Sequence, residues 1–270
     1  MAKVILDISH HETVTDWKEL KENVSFLIIK ATQGTDFLDP HCYKSIEKCE
    51  KYGIPYWLYC FFDKGNEPAQ AKYMVEKTKG EIGKRFVGYC IDCETGNSAS
   101  NVQKALDYIK KHSKKTMIYT AHHHYDLYKS MLPKRGENCA WWEPRYNLKE
   151  GPHKGVDLWQ YSENYRCSYI SGKVDINRLT GTKPLSWFVT PAVGKMKETK
   201  PDNSKSDFYP KYSGTSGSIV DALKSVGVTD TSKSFRTKIA SKNGIGQYTG
   251  TISQNQTMLT LLKAGKLKKV

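Results

Sequence analysis

Short β-branched or aromatic runs recur along the first 188 residues, and amphipathic segments fill the early gaps at roughly 25–30-residue spacing. That alternation limits the fold more than any other feature. The strand-like runs stand at 3–7, 25–31, 54–61, 85–93, 116–120, 140–142, 156–161 and 172–174, bounded by Gly, Pro, Asn or charged clusters. Helix-like stretches follow at 40–51 behind Asp39, at 67–79 behind Asn66, at 98–112 and at 121–130, with a short one near 16–21. Gly53 and Gly80 stand where the first two should end. Strand–helix repeats of this length read as right-handed βαβ units. About eight strands, with about five helices confined to the early gaps, predict an α/β chain closed as an irregular, TIM-like β/α barrel. An open doubly wound sheet is the alternative, but no Gly-rich phosphate loop supports it.

A polar, Lys- and Ser-bearing stretch separates this part from the end of the chain. The expected organisation is a barrel over 1–188, a linker over 189–208 and a small α+β module over 209–270, with helices near 218–226, 232–243 and 255–264. The formal charge of +14 is concentrated late: residues 189–270 carry 14 Lys and Arg against five Asp and Glu. Such a module suits a polyanionic partner. There is little aromatic–basic interleaving, so nucleic acid is not expected. No apolar run of about 18 residues is present, so membrane insertion is not expected either. The N-terminal stretch has no signal-peptide character. Seven cysteines, none after Cys167, read as reduced cytosolic thiols.

Carboxylates at the ends of strands carry the chemistry. Asp7 ends the first run, Asp92 and Glu94 end the fourth, and Asp175 ends the last. Residues i and i+2 of a strand share a face, so Asp92 and Glu94 point into one site. Function in such barrels sits at the strand C-termini. Crowded carboxylates raise at least one pKa, which makes a general acid near neutral pH.

The ordered motifs Asp7-Ile8-Ser9-His10, Phe26 to Gly34, Ile91-Asp92-Cys93-Glu94, Ala140 to Tyr146, Leu158-Trp159-Gln160-Tyr161-Ser162 and Val174-Asp175-Ile176-Asn177 resemble family 25 glycoside hydrolases, the N-acetylmuramidases. The family's histidine on the third strand is replaced by Cys60 between Tyr59 and Phe61, which puts any polar role there in doubt. The resemblance implies hydrolysis of the β-1,4 bond between N-acetylmuramic acid and N-acetylglucosamine. It implies Glu94 as general acid and Asp92 as stabiliser of developing charge, with Asp7 and Asp175 tuning Glu94 and holding the sugar. Asp92 would act by orienting the substrate's N-acetyl group, as a direct nucleophile, or through water. Tyr59, Phe61, Trp142, Trp159 and Asn177 would line the sugar groove, with barrel core as the plainer reading of the aromatics. A chitinase is disfavoured, because Val87 and Cys90 stand where its strand carries Asp. A non-catalytic carbohydrate-binding barrel should lack the Asp92–Glu94 pair.

The last 60 residues resemble wall-binding modules of clostridial and phage lytic enzymes. Candidate wall contacts are Tyr209, Tyr212, Arg236 and Tyr248, and so small a core invites self-association. The resemblance as a whole implies a modular phage-type endolysin. It would be made without a signal peptide in the host bacterial cytoplasm and act on peptidoglycan and anionic wall polymers once the membrane is permeabilised. No cofactor or metal is expected. Neighbours in His122-His123-His124 diverge on a helix, and Cys90-Ile91-Asp92-Cys93 lies along a strand rather than opening a helix.

Overall fold

The computed structural model describes residues 3–191 and 207–270. The chain divides into two compact units, Met1–Lys195 and Met196–Val270. Most of the expected linker, residues 192–206, lies outside the described residues.

The first unit runs β1 (Val4–Ile8), β2 (Thr13–Val14), α1 (Trp17–Asn23), β3 (Val24–Gln33), β4 (Phe37–Leu38), α2 (Cys42–Tyr52), β5 (Tyr56–Phe61), α3 (Glu67–Thr78), β6 (Phe86–Cys93), α4 (Ala99–Lys110) and β7 (Thr116–Thr120). A 3-10 turn (His122–His124) and the short α5 (Tyr125–Tyr128) lead to β8 (Cys139–Pro144), β9 (Leu158–Cys167), β10 (Ile170–Leu179) and α6 (Leu185–Val189). The predicted helix over 121–130 is therefore only a turn and a short helix. Strands β1, β3, β5, β6, β7, β8 and β9 pair in parallel order. β10 closes the eight-stranded barrel, antiparallel to both β9 and β1.

Strand alternation separates two apolar layers. Leu6, Ile8, Leu27, Ile29, Leu58, Cys60, Tyr89 and Ile91 face out into the helix layer. Ile5, Phe26, Ile28, Trp57, Cys90, Met117, Ala140 and Leu158 fill the interior. The Cys60 thiol donates to the Gln70 carbonyl of α3 at 3.8 Å. It belongs to the helix layer, while Tyr59 and Phe61 face in. One end of the interior is plugged by α6: Phe188 stacks on Phe26 at 5.5 Å, and its carbonyl accepts from Trp57 Nε1 at 3.0 Å.

Trp57 fills this end because Gly88 beside it has no side chain. A Cβ at Gly88 would stand 2.6 Å from the Trp57 ring and press on the Lys115 carbonyl. Gly88→Ala is expected to destabilise the barrel by about 1–3 kcal/mol through overpacking, read as a lowered urea midpoint with unchanged slope. An unchanged midpoint would refute this account of the plug.

Capping sets most helix starts. The Asp16 side chain accepts from Lys18 N and Glu19 N, and Ser98 from Asn101 N. Asp39 departs from its expected cap role. It accepts from His10 N and Nδ1 and from His41 N, and α2 begins after it, at Cys42.

In the second unit α7 (Ile219–Ser225), α8 (Lys233–Lys242) and α9 (Ile252–Lys263) pack around one small core. The flanks meet at a single bridge between Phe208 and Lys268. Tyr209, Tyr212 and Tyr248 belong to that core at 8%, 7% and 6% exposure, so their rings are not the surface contacts the sequence predicted. The tyrosine rings are packed in that core beside Ile219, Leu223, Ile239, Leu259 and Leu262. Arg236 is also engaged: it donates to the Tyr248 hydroxyl at 2.9 Å and to the Thr231 carbonyl at 3.2 Å. Among the described residues, no helix is long and apolar enough to cross a membrane.

Candidate active site

The end of the barrel opposite α6 is polar because the inward parity of four strands finishes on a charged or amide residue. Asp7 follows Ile5 on β1, Lys30 follows Ile28 on β3, Asp92 follows Cys90 on β6, and Gln160 follows Leu158 on β9. These side chains, with Glu94, Tyr59, Phe61, Tyr119, Trp142 and Asp175, line a cavity of about 240 Å³.

The four predicted carboxylates converge there, though Asp175 arrives differently from the expectation. It does not end a parallel strand. It lies midway along antiparallel β10, opposite Asp7 in the register. The two carboxyl groups share a hydrogen bond, and burial, with the charge of Asp175, pushes Asp7 well above the carboxylate range.

Gln160 organises this side. Its Nε2 donates to Asp7 Oδ1 at 3.1 Å and to Asp175 Oδ2 at 3.1 Å, and its Oε1 accepts from the Tyr119 and Tyr146 hydroxyls, each at 3.1 Å. Asn177 donates to Asp7 Oδ2 at 2.7 Å and accepts from Trp142 Nε1 at 2.7 Å. Asn177 thus holds Asp7 from beneath and does not line the cavity, contrary to the expected sugar contact.

Asp92 is 5% exposed, and its Oδ1 has no hydrogen-bond partner among the described residues. Burial, then the neighbouring charge of Glu94, raises its pKa, with Lys30 opposing. Glu94 sits two residues further out. Burial raises its carboxyl too, and Lys30 and His123 hold back part of the rise. Lys30 lies 5.0 Å from the Phe61 ring centre and donates to Gln33 Oε1 at 2.9 Å. The site thus offers a proton donor at its rim, a deeper carboxylate with a free oxygen, and one cation serving both.

Tyr59, Phe61 and Trp142 line the cavity, with the Tyr119 and Trp142 rings edge to face at 4.4 Å. Trp159 does not. Gln160 faces in, so Trp159 faces out. Its Nε1 donates to the Arg145 carbonyl at 2.6 Å, and the Arg178 guanidinium lies 3.9 Å from its ring centre. Lys30, Gln160, Tyr119 and Tyr146 were missing from the predicted site. A Lys and a Gln at inward parity in otherwise apolar strands were the signal for the first two.

The sequence model of the family described as Glycosyl hydrolases family 25 matches residues 6–170. The chain belongs to glycosyl hydrolase family 25. Three solved structures share the fold of this family 25 enzyme. A bacterial lysozyme from Streptomyces coelicolor is 21% identical, with TM-score 0.58, over 70% of this chain and 97% of that one. The catalytic domain of endolysin ply40, from bacteriophage P40 of Listeria monocytogenes, is 24% identical, with TM-score 0.56, over 67% and 94%. The modular autolysin LytC of Streptococcus pneumoniae, in complex with a synthetic peptidoglycan ligand, is 20% identical, with TM-score 0.54, over 65% and 46%. Among curated sequences, the uncharacterized protein YegX of Escherichia coli O157:H7 is 23% identical over 66% of this chain and 70% of its own. The family 25 match ends before Asp175 and Asn177, so the Asp7–Asp175–Asn177 cluster rests on the barrel geometry.

Burial raises Asp175 from its ordinary 3.8 to about 6. A carboxyl raised on folding adds stability below its unfolded pKa, and that stability is lost as pH rises through about 6. Asp175→Asn is expected to remove this loss, making the variant more stable than wild type by about 1–3 kcal/mol at pH 7 but not at pH 4. Urea unfolding at the two pH values checks it, and the same gap between the proteins at both would refute it.

Proposed function

We propose that this family 25 enzyme is a muramidase, hydrolysing the β-1,4 bond between N-acetylmuramic acid and N-acetylglucosamine in peptidoglycan. The observation that carries the reading is the pairing on one strand face of Glu94, raised and at the rim, with the deeper Asp92, whose Oδ1 is free. The names of the structural relatives, a lysozyme, an endolysin domain and an autolysin bound to a peptidoglycan ligand, agree with it.

In the proposed reaction Glu94 protonates the glycosidic oxygen as the C1–O bond breaks. Asp92 Oδ1 accepts the N–H of the 2-acetamido group, whose carbonyl oxygen closes on C1. Water then attacks C1 and gives its proton to the Glu94 carboxylate, with net retention. The depth of Asp92 favours a hydrogen bond to the acetamido group over direct attack on C1. Tyr59, Phe61 and Trp142 offer ring faces to sugar C–H groups.

The biological role we propose is that of a phage-type endolysin, made in the bacterial cytoplasm and reaching the wall once the membrane is breached. Its C-terminal module would hold anionic wall polymers through exposed lysines such as Lys211, Lys233, Lys238 and Lys263 rather than through tyrosines.

The deciding experiment is digestion of purified Gram-positive peptidoglycan, borohydride reduction and mass spectrometry. New reduced muramitol ends are expected from wild type and not from Glu94→Gln. New glucosaminitol ends would move the cleaved bond, and intact glycan from both proteins would overturn the catalytic reading.

A further inference from the structure

Glu143 has no exposed surface, yet it sits on the outer face of β8, next to the cavity-lining Trp142. Its oxygens accept from two imidazoles and one amide. His122 Nδ1 lies 2.8 Å from Oε1, His153 Nδ1 lies 3.0 Å from each oxygen, and the His153 backbone N–H lies 3.1 Å from Oε1. Its ion-pair partners among the described residues are these two histidines, with no Lys or Arg. A carboxylate taken out of water needs a cation or a metal beside it.

The three residues come from separate segments. His122 stands in the turn after β7, Glu143 on β8, and His153 in the loop before β9. One ligand atom of each lies within 4.8 Å of the others. The imidazoles stack at 4.2 Å and 23°, and Tyr125 backs His153 at 4.0 Å, so the rings are held face to face. Each histidine side chain remains over a quarter exposed, which leaves an entry path from solvent.

We infer that His122, Glu143 and His153 form a binding site for a divalent transition-metal ion, zinc by its ligand set, which clips together two loops at the barrel mouth. Two imidazoles and a carboxylate are the protein ligands of open zinc sites, with water in the fourth position. Tetrahedral ligands about 2.1 Å from zinc stand about 3.4 Å apart, so the two imidazole–carboxylate contacts would open by a few tenths of an ångström, while the widest separation, up to 4.8 Å, would close. Each Nδ1 gives its lone pair to the ion, and the ring proton moves to the other nitrogen. The next residue, His123, bears on the Glu94 carboxyl, and the His124 ring hydrogen-bonds the Glu94 backbone. The ion would therefore fix the turn that faces the acid, a positioning role with no part in bond cleavage. The expectation of no metal was drawn from the adjacency of the three histidines. It did not reach this triad, because two of its members lie 21 and 31 residues from His122 in the chain.

The test uses the full chain, stripped with a chelator and dialysed against zinc, with bound metal quantified by elemental mass spectrometry. One zinc per chain is expected in wild type, together with a rise in melting temperature that scales with zinc concentration. Glu143→Gln and His153→Asn should weaken zinc binding by at least about tenfold and lose the thermal response. His153→Asn keeps a donor toward Glu143, so it can keep the loops paired while removing the metal ligand. Circular dichroism checks that each variant is folded. Cobalt in place of zinc should give visible bands of four-coordinate nitrogen and oxygen ligation. Zinc bound equally by wild type and both variants, no stoichiometric binding by wild type, or thiolate-to-cobalt charge-transfer bands would each overturn the site.

Discussion

Glu94→Gln is expected to lower kcat on peptidoglycan by about 10²- to 10⁴-fold, the range for losing a positioned general acid. KM should change little, because glutamine keeps the size and hydrogen-bonding outline of the side chain. The pH profile carries the sharper prediction. Burial raises the Glu94 carboxyl, so its acid form persists above the ordinary carboxylate range. Wild-type activity should fall as pH rises through that value, and Glu94→Gln should lose that limb. Lys30 opposes the rise, so removing its charge should shift the limb to higher pH. Initial rates across a pH series check both statements. Residual activity within tenfold of wild type, or an unchanged alkaline limb, would remove Glu94 from the acid role.

The barrel and its mouth were legible where the chain follows period-two alternation. Several parallel strands (β1, β3, β6 and β9) carry apolar residues at inward parity that end on a polar one, and Asp7, Asp92 and Glu94 fall out of that pattern. Legibility fails where burial stops. In the outer half of the β9–β10 hairpin the buried Tyr169 and Ile170 are flanked by exposed polar residues such as Glu163, Asn164, Arg166 and Lys173, so the apolar signal is broken. Of the ten residues of β10, the sequence signals a strand only over 172–174, and it gives no sign of the antiparallel closure. Trp159 shows how costly one residue of register is. It sits beside the inward Gln160 and therefore stacks under Arg178 outside the mouth. The start of α9 is written in the sequence. Thr251 and Gln254 form a capping box, which places the helix three residues earlier than expected. The tyrosines of the second unit mislead for a different reason: in a module this small, amphipathic rings are buried alongside the aliphatic core.

Asp92→Asn should separate catalysis from stability more cleanly than any other change at the mouth. The native carboxylate is buried among Glu94 and Asp7, with Lys30 as its favourable charge and no donor to Oδ1. Such a group is costly to keep in the folded chain, and an enzyme tolerates the cost where the free oxygen has work to do. Asparagine removes the charge and supplies a donor that Glu94 or Asp7 can accept. The variant should therefore be more stable than wild type, by about 1–3 kcal/mol at neutral pH, while kcat falls by about 10²- to 10⁴-fold. If Asp92 orients the acetamido group, the asparagine carbonyl still accepts from its N–H but brings no negative charge to the forming oxazolinium. Ground-state binding should then survive while turnover is lost, so KM stays within a few-fold as kcat collapses. If Asp92 were instead the nucleophile, exogenous azide would rescue the variant by attacking C1 from the vacated side and yield the inverted glycosyl azide. Urea unfolding, steady-state kinetics and the azide product together decide the matter. A destabilised variant with wild-type turnover would show that Asp92 is a structural residue of the barrel and that the chemistry belongs elsewhere.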